Sequence, residues 1–262
     1  MARKNPGDIL TCDWNPVIGC ERHSAGCAGC WYLDGIFPWQ QRLGNIPADV
    51  RPDEHHVFEK RMGEAALRPK RGIVGIVQHG DLFWDKVPDS TIDRVLSIVD
   101  AVASAGRSAT SRSVTNRAPA RTATKYLLWT KRARRMGDIL SRRYPDGLPP
   151  YLAAAVSVEN QATADERLPH LSRIRGTRVI ALEPLLGPVD LSRHLPAEWV
   201  IVGSETGAGA RPLDLRWAAA IRDQAKALGI PFFIKQLGAS HKASVRELDG
   251  RTWDEFPAGF DK

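Results

Sequence analysis

The chain of 262 residues has almost no cysteine: four in all, at positions 12, 20, 27 and 30, and none in residues 31 to 262. That distribution excludes a disulfide-stapled scaffold, which a chain long enough to bury a sizeable core does not need. Unbroken apolar runs of membrane-spanning length are missing too, so no membrane partner is expected. The opening "MARKNPGDIL" lacks the apolar stretch of a secretory signal. The expected compartment is therefore cytoplasmic, where thiols stay reduced and clustered cysteines suggest a metal or redox role.

Acids are nearly absent from residues 104 to 143. Eleven Lys or Arg stand there against Asp138 alone, a local balance of +10 in a chain whose formal charge is +7. One segment therefore sets the basic character, and the rest of the chain sums to about −3. Residues 104–124, "SAGRSATSRSVTNRAPARTAT", also lack aromatics and carry one large aliphatic residue, Val114. Such a stretch cannot bury enough apolar surface to offset its ordering entropy, and it reads as a mobile basic insertion. It is either an arm that touches nucleic-acid phosphates or a solvated loop with no partner. The missing aromatics remove base stacking from the first reading.

What is present is an alternation of apolar strands and helices. The segments 72–78, 125–130, 151–157, 178–184, 198–204 and 230–236 read as buried strands. A further strand is expected near the cysteines. Helices are expected over 90–103, 131–143, 163–174 and 215–229. Ile92, Val95, Leu96, Val99 and Val102 share one face of the first, and Pro169 is expected to shorten or kink the third. Strands apolar on both faces and alternating with helices predict one α/β domain with parallel strands, a full or partial TIM-type (β/α) barrel. Its active residues should follow the C-terminal ends of strands. Acids recur there, as Asp81, Glu159, Glu183 and Glu205, together with Lys131, Ser157, Lys235 and Gln236. The glycine-rich "GSETGAGARP" (203–212) lacks the Lys-Ser/Thr of a P-loop and reads as a strand-to-helix turn, with Arg211 available for an anion.

The cysteines lie in "GCERHSAGCAGCWY" (19–32). Six residues separate Cys20 from Cys27, and two separate Cys27 from Cys30. The two-residue gap lets both sulfurs reach one metal centre, and the glycines permit the tight turn. Three thiolates can hold an iron–sulfur cluster with one iron left open. Alternatively, Cys12, Cys20, Cys27 and Cys30 complete a tetrahedral zinc site, although structural zinc sites usually use two close pairs. Buried free thiols are the plain reading, which a Gly-rich polar loop disfavours. Trp14, Trp31 and Tyr32 flank the motif, either as cluster shields or as core anchors.

"DWNPVIGCERHSAGCAGCWY" (13–32) resembles the opening of a phage-associated three-cysteine family. The likeness continues through "HGDLFWDKVPD" (79–89), "LLWTKRARRM" (127–136), "VSVENQATADERLPHL" (156–171), "IALEPLLGPVDL" (180–191), "WVIVGSETGAGARPLD" (199–214) and "PFFIKQLG" (231–238). That family in turn resembles radical SAM enzymes, in particular the branch similar to spore photoproduct lyase. The resemblance implies a 4Fe-4S cluster on Cys20, Cys27 and Cys30, placed after the first strand of a barrel. It implies S-adenosylmethionine on the open iron, a 5′-deoxyadenosyl radical, and a one-electron donor of flavodoxin or ferredoxin type. It makes Asp81, Ser157, Glu159, Glu183, Glu205 and Lys131 candidates for contacts to S-adenosylmethionine or substrate. The substrate itself is left open, with a nucleic-acid base or nucleotide favoured by the basic 104–143 segment. Two features depart from the pattern. The commonest radical SAM loop has three residues between its first two cysteines, and Cys12 as a fourth ligand would close the open iron. The competing expectation is a non-catalytic nucleic-acid-binding protein stabilised by zinc or an iron–sulfur cluster.

Overall fold

The computed structural model describes residues 9–63, 72–111, 124–194, 197–207, 209–238 and 246–260, with the side chains of 106–111 excepted. Its centre is a seven-stranded, all-parallel sheet. The strands are β1 (Cys12–Trp14), β2 (Ile73–Ile76), β3 (Lys125–Thr130), β4 (Leu152–Ser157), β5 (Thr177–Leu182), β6 (Trp199–Gly203) and β7 (Phe232–Gln236). Each pairs with its sequence neighbour, in the order β1 to β7. The sheet curls, and among the described residues it ends at β7 without pairing back to β1. The fold is therefore a half-barrel flanked by helices, the partial form of the expected TIM-type architecture.

Alternation along the strands divides the interior. Leu127, Ala153, Ala155, Val179, Ala181, Ile201 and Phe233 form the concave core. Their neighbours Leu128, Ala154, Val156, Ile180, Val202 and Ile234 face the helices. Trp199 packs against Phe256 at 5.1 Å and Phe233 at 6.0 Å, and its indole N–H donates to Glu255 O at 2.9 Å. These contacts fill the concave face with side chains from the C-terminal segment.

The helices are α1 (Phe37–Arg42), α2 (Asp89–Ser111), α3 (Ala133–Arg143), α4 (Gln161–Ser172) and α5 (Leu215–Ala227). The expected face of α2, from Ile92 to Val102, is buried. Asn160 caps α4 by a reciprocal capping box with Thr163, and Asp214 caps α5 through the Arg216 N–H. Pro169 lies inside α4, which runs on to Ser172.

The structure differs from the expected insertion at its start, because residues 104–111 continue α2. Ala and Arg are good helix formers, and extending a helix costs far less than nucleating one. Residues 112–123 lie outside the described residues. The seventh strand is also shorter than a sequence pattern registers: β1 spans three residues, with Cys12 on it. Cys12 packs against the helix-side core rather than joining the cysteine loop.

Candidate site at the cysteine loop

The chain leaves β1, forms a short antiparallel pair (Val17–Ile18 with His56–Val57), and enters the cysteine loop past Gly19. Gly19 and Gly80 bridge each other directly, with φ of +117° and +143°. A Cβ on Gly80 would lie 2.6 Å from Gly19 O. Only glycine permits this approach, which seats the loop beside the end of β2. The loop then makes a 3₁₀ turn at Ala25–Cys27 and a π-helical turn at Trp31–Ile36 that leads into α1.

Glu159, beyond the end of β4, is fully buried and holds the centre of this loop. Its Oε2 accepts from the Gly26 N–H at 2.9 Å, and its Oε1 accepts from the Ser24 hydroxyl. Arg167 from α4 lies 3.5 Å from Oε1 and also donates to Ser157 O at 2.8 Å. A Cβ on Gly26 would come within 2.6 Å of the Glu159 carboxyl carbon, so a side chain there would displace the carboxyl or the turn.

Glu205, beyond β6, holds the other side. Arg211 donates to its carboxylate from the backbone N–H and Nε at 2.9 and 2.8 Å, and from Nη2 at 2.5 Å. The same Nη2 reaches Ala25 O at 2.8 Å. The arginine expected to be available for an anion is thus committed to Glu205 and the loop.

Asp81, beyond β2, is buried and accepts from the Thr130 hydroxyl at 2.6 and 2.8 Å, from Phe83 N–H at 3.0 Å and from Lys131 N–H at 3.2 Å. Arg132 stands between this carboxylate and the loop. Its Nη1 is 3.7 Å from Asp81 and 3.9 Å from Cys20 Sγ, and its Nη2 donates to Glu21 O at 3.3 Å. Arg22 binds the carbonyls of Cys27 and Ala28 and pairs with Asp34. The loop is therefore tied from β2, β3, β4 and β6 at once.

Electrostatics separate the thiols. Burial, with the Asp81 charge and the other two cysteines behind it, pushes Cys20 up to about 12 against the opposing pull of Arg132. Burial pushes Cys27 the same way, but the Lys131 charge, backbone hydrogen bonds from His23 and Ser24, and the Ser24 hydroxyl outweigh it. Cys27 ends below the ordinary thiol value. Cys27 and Cys30 both act on Cys20, so the three sulfurs lie within electrostatic reach of one another. Their donor chemistry suits iron–sulfur or zinc. Among the described residues, however, no three His, Cys, Asp or Glu side chains are gathered as a group that could hold an ion.

A second polar tier lies at the ends of β3, β4, β5 and β7. Trp129 donates its indole N–H to Ser157 Oγ at 2.8 Å. Lys235 pairs with Glu183 at 2.8 Å and lies 5.4 Å from the Trp129 ring centre. Gln236 donates to Glu183 Oε1 at 2.9 Å. Of the expected site residues, Glu159, Glu205, Asp81 and Lys131 thus gather around the cysteine loop, whereas Ser157 and Glu183 belong to this tier. Sequence reasoning missed Ser24, Arg132 and Arg167. Arg167 had a signal: it falls on the apolar face formed by Ala164, Leu168 and Leu171, where an arginine needs a buried partner.

A half-barrel with a cysteine loop tied down at its C-terminal rim defines the class of architecture. The chain belongs to a family described as a protein of unknown function (DUF5131), whose model matches residues 9–257. Neither a curated protein nor a solved structure matches it.

Proposed function

We propose that this protein is a radical SAM enzyme, with a 4Fe-4S cluster held by Cys20, Cys27 and Cys30 and S-adenosylmethionine beside it. The observation that carries this reading is the position of the three-cysteine loop. It follows the first strand of a parallel half-barrel and is tied by buried carboxylates to the strand ends, where barrel active sites lie. When bound, the cluster supplies the electron that breaks a C–S bond of S-adenosylmethionine, for hydrogen abstraction from a substrate.

The protein's own residues prepare that site. Glu159 and the Glu205–Arg211 pair act as positioning residues, because their carboxylate oxygens already bind the loop or its arginine. Lys131 favours the Cys27 thiolate, the form that binds metal. Arg132 places a cation beside Cys20 and offsets the negative charge of a thiolate-bound cluster. Trp129, Ser157, Lys235 and Glu183 line the adjoining rim and are the first candidates for substrate or S-adenosylmethionine contacts.

The zinc reading that uses Cys12 finds less support, since Cys12 packs into the helix-side core. Binding of nucleic acid through the basic helix also finds less support. Arg135 and Arg142 pair with Asp89, and Arg143 pairs with Asp93 and Asp100. Metal and acid-labile sulfide analysis after anaerobic purification tests the proposal: iron with matching sulfide sustains it, and one zinc per chain without sulfide overturns it.

A further inference from the structure

Beside β1, next to the cysteine loop, lies a cavity of about 450 Å³ whose polar lining is Asp13, Asn15, Gln40, Asn45, Arg61 and His79. None of these side chains ties down the loop. The cavity nevertheless touches it: the His79 ring stacks on Tyr32 at 6.0 Å and meets the edge of half-exposed Trp31 at 5.9 Å, just past Cys30.

The charge of the lining argues against an anion. Among the described residues, Arg61 is the only arginine or lysine in it, and it donates to the Asn15 and Asn45 carbonyls at 3.3 Å each and lies 3.8 Å over the Phe58 ring. Asp13 opposes it, and burial lowers the tendency of His79 to carry charge. What the walls offer instead is oriented amide edges. Asn15 is fixed at both ends, donating to Asp13 Oδ2 at 3.1 Å and accepting the His79 N–H at 2.8 Å. Asn45 donates to Gln40 Oε1 at 2.8 Å, which sets the direction of the Gln40 amide. Ile18 and Ile46 supply apolar wall between these two polar pairs.

A carboxylate, carboxamides and apolar surface together complement a neutral, flat ring with donors and acceptors along its edge. We infer that this cavity binds a nucleobase, presented as a free nucleoside, with Asp13 and Gln40 reading its edge. A free nucleoside fits better than a strand, because three of the α3 arginines that would meet a strand's phosphates, Arg135, Arg142 and Arg143, are paired with carboxylates. That this nucleoside is the substrate rests on the radical SAM reading; its binding does not.

The test uses the full chain without metal, titrated with uridine, thymidine, cytidine, adenosine and guanosine, and separately with ribose and a single-stranded oligonucleotide. Saturation-transfer NMR and calorimetry read the binding. The expected result is binding of at least one nucleoside, no binding of ribose, and affinity about tenfold weaker in both Gln40→Leu and Asp13→Asn, as for the loss of one hydrogen bond. Binding of none of the nucleosides, ribose binding as tight as nucleoside, binding of the oligonucleotide alone, or wild-type affinity in both variants would overturn the inference. Should Asp13→Asn melt early, the partly exposed Gln40 decides the matter alone. Nucleoside binding by a chain that takes up no iron defeats only the radical SAM reading, and an intact cluster without nucleoside binding defeats only this one.

Discussion

Glu159 and Gly26 are 133 residues apart in the chain, and the Gly26 N–H donates to the Glu159 carboxylate at 2.9 Å. The contact fixes the middle of the cysteine loop from the end of β4. Removing the carboxylate frees the loop and also strands the buried Arg167 charge. Glu159→Ala is therefore expected to lose about 3–5 kcal/mol in denaturant unfolding, the cost of breaking one side of a buried pair. The Gly26 amide should exchange with deuterium far faster in this variant. An unchanged unfolding midpoint would show that Glu159 does not brace the loop.

Gly26→Ala tests the same contact from the other side. Its added methyl would meet the Glu159 side chain at 2.6 Å, so the turn and the carboxylate must move apart. The expected outcome is a lowered melting temperature and faster modification of Cys27 by a thiol reagent. Gly35→Ala is the control, because its Cβ would meet nothing within 4 Å.

The thiols should titrate apart in metal-free protein. Cys27 lies below the ordinary value of 9.0 and Cys20 is raised to about 12, so alkylation of Cys27 should show its inflection at the lower pH. Cys20 should stay largely protonated until strongly alkaline pH. Lys131→Met removes the first charge that lowers Cys27 and should move its inflection upward. Mass spectrometry of labelled peptides reads each position, and coincident profiles would contradict the assignment.

Arg211 clamps Glu205 and Ala25 O at the same time. Arg211→Lys keeps the charge but loses the fork that spans both partners. It should behave like Arg211→Ala in a loop-proteolysis assay, with cleavage between residues 20 and 30 faster than in wild type. Rescue by lysine would reduce the pair to a simple charge contact.

The strand–helix alternation was legible because parallel strands buried on both faces leave continuous apolar runs, as in "LAAAVS" of β4. β1 was expected near the cysteines, but its bounds were not legible, because three residues make too short a pattern and Asp13 interrupts it. The end of α2 was misjudged because "SAGRSATS" has no apolar periodicity, although it has the propensity to extend an existing helix. At the site, the strand-end rule found the acids but not their partners. Glu159 meets Ser24 and Gly26, and Glu205 meets Arg211 and through it Ala25, by tertiary approach that no local spacing encodes. The basic segment illustrates the same limit: its charge was plain in the sequence, whereas the pairing of Arg135, Arg142 and Arg143 with carboxylates of α2 needed the fold.

Anaerobic reconstitution with iron and sulfide, followed by dithionite and S-adenosylmethionine, decides the functional reading through the product 5′-deoxyadenosine. Wild type should hold about four irons per chain and form that product. Cys12→Ala should do both, and Cys27→Ala neither. A wild-type chain that binds iron but leaves S-adenosylmethionine intact, or a Cys12→Ala variant that loses its iron, would contradict a cluster held by Cys20, Cys27 and Cys30 with one iron open.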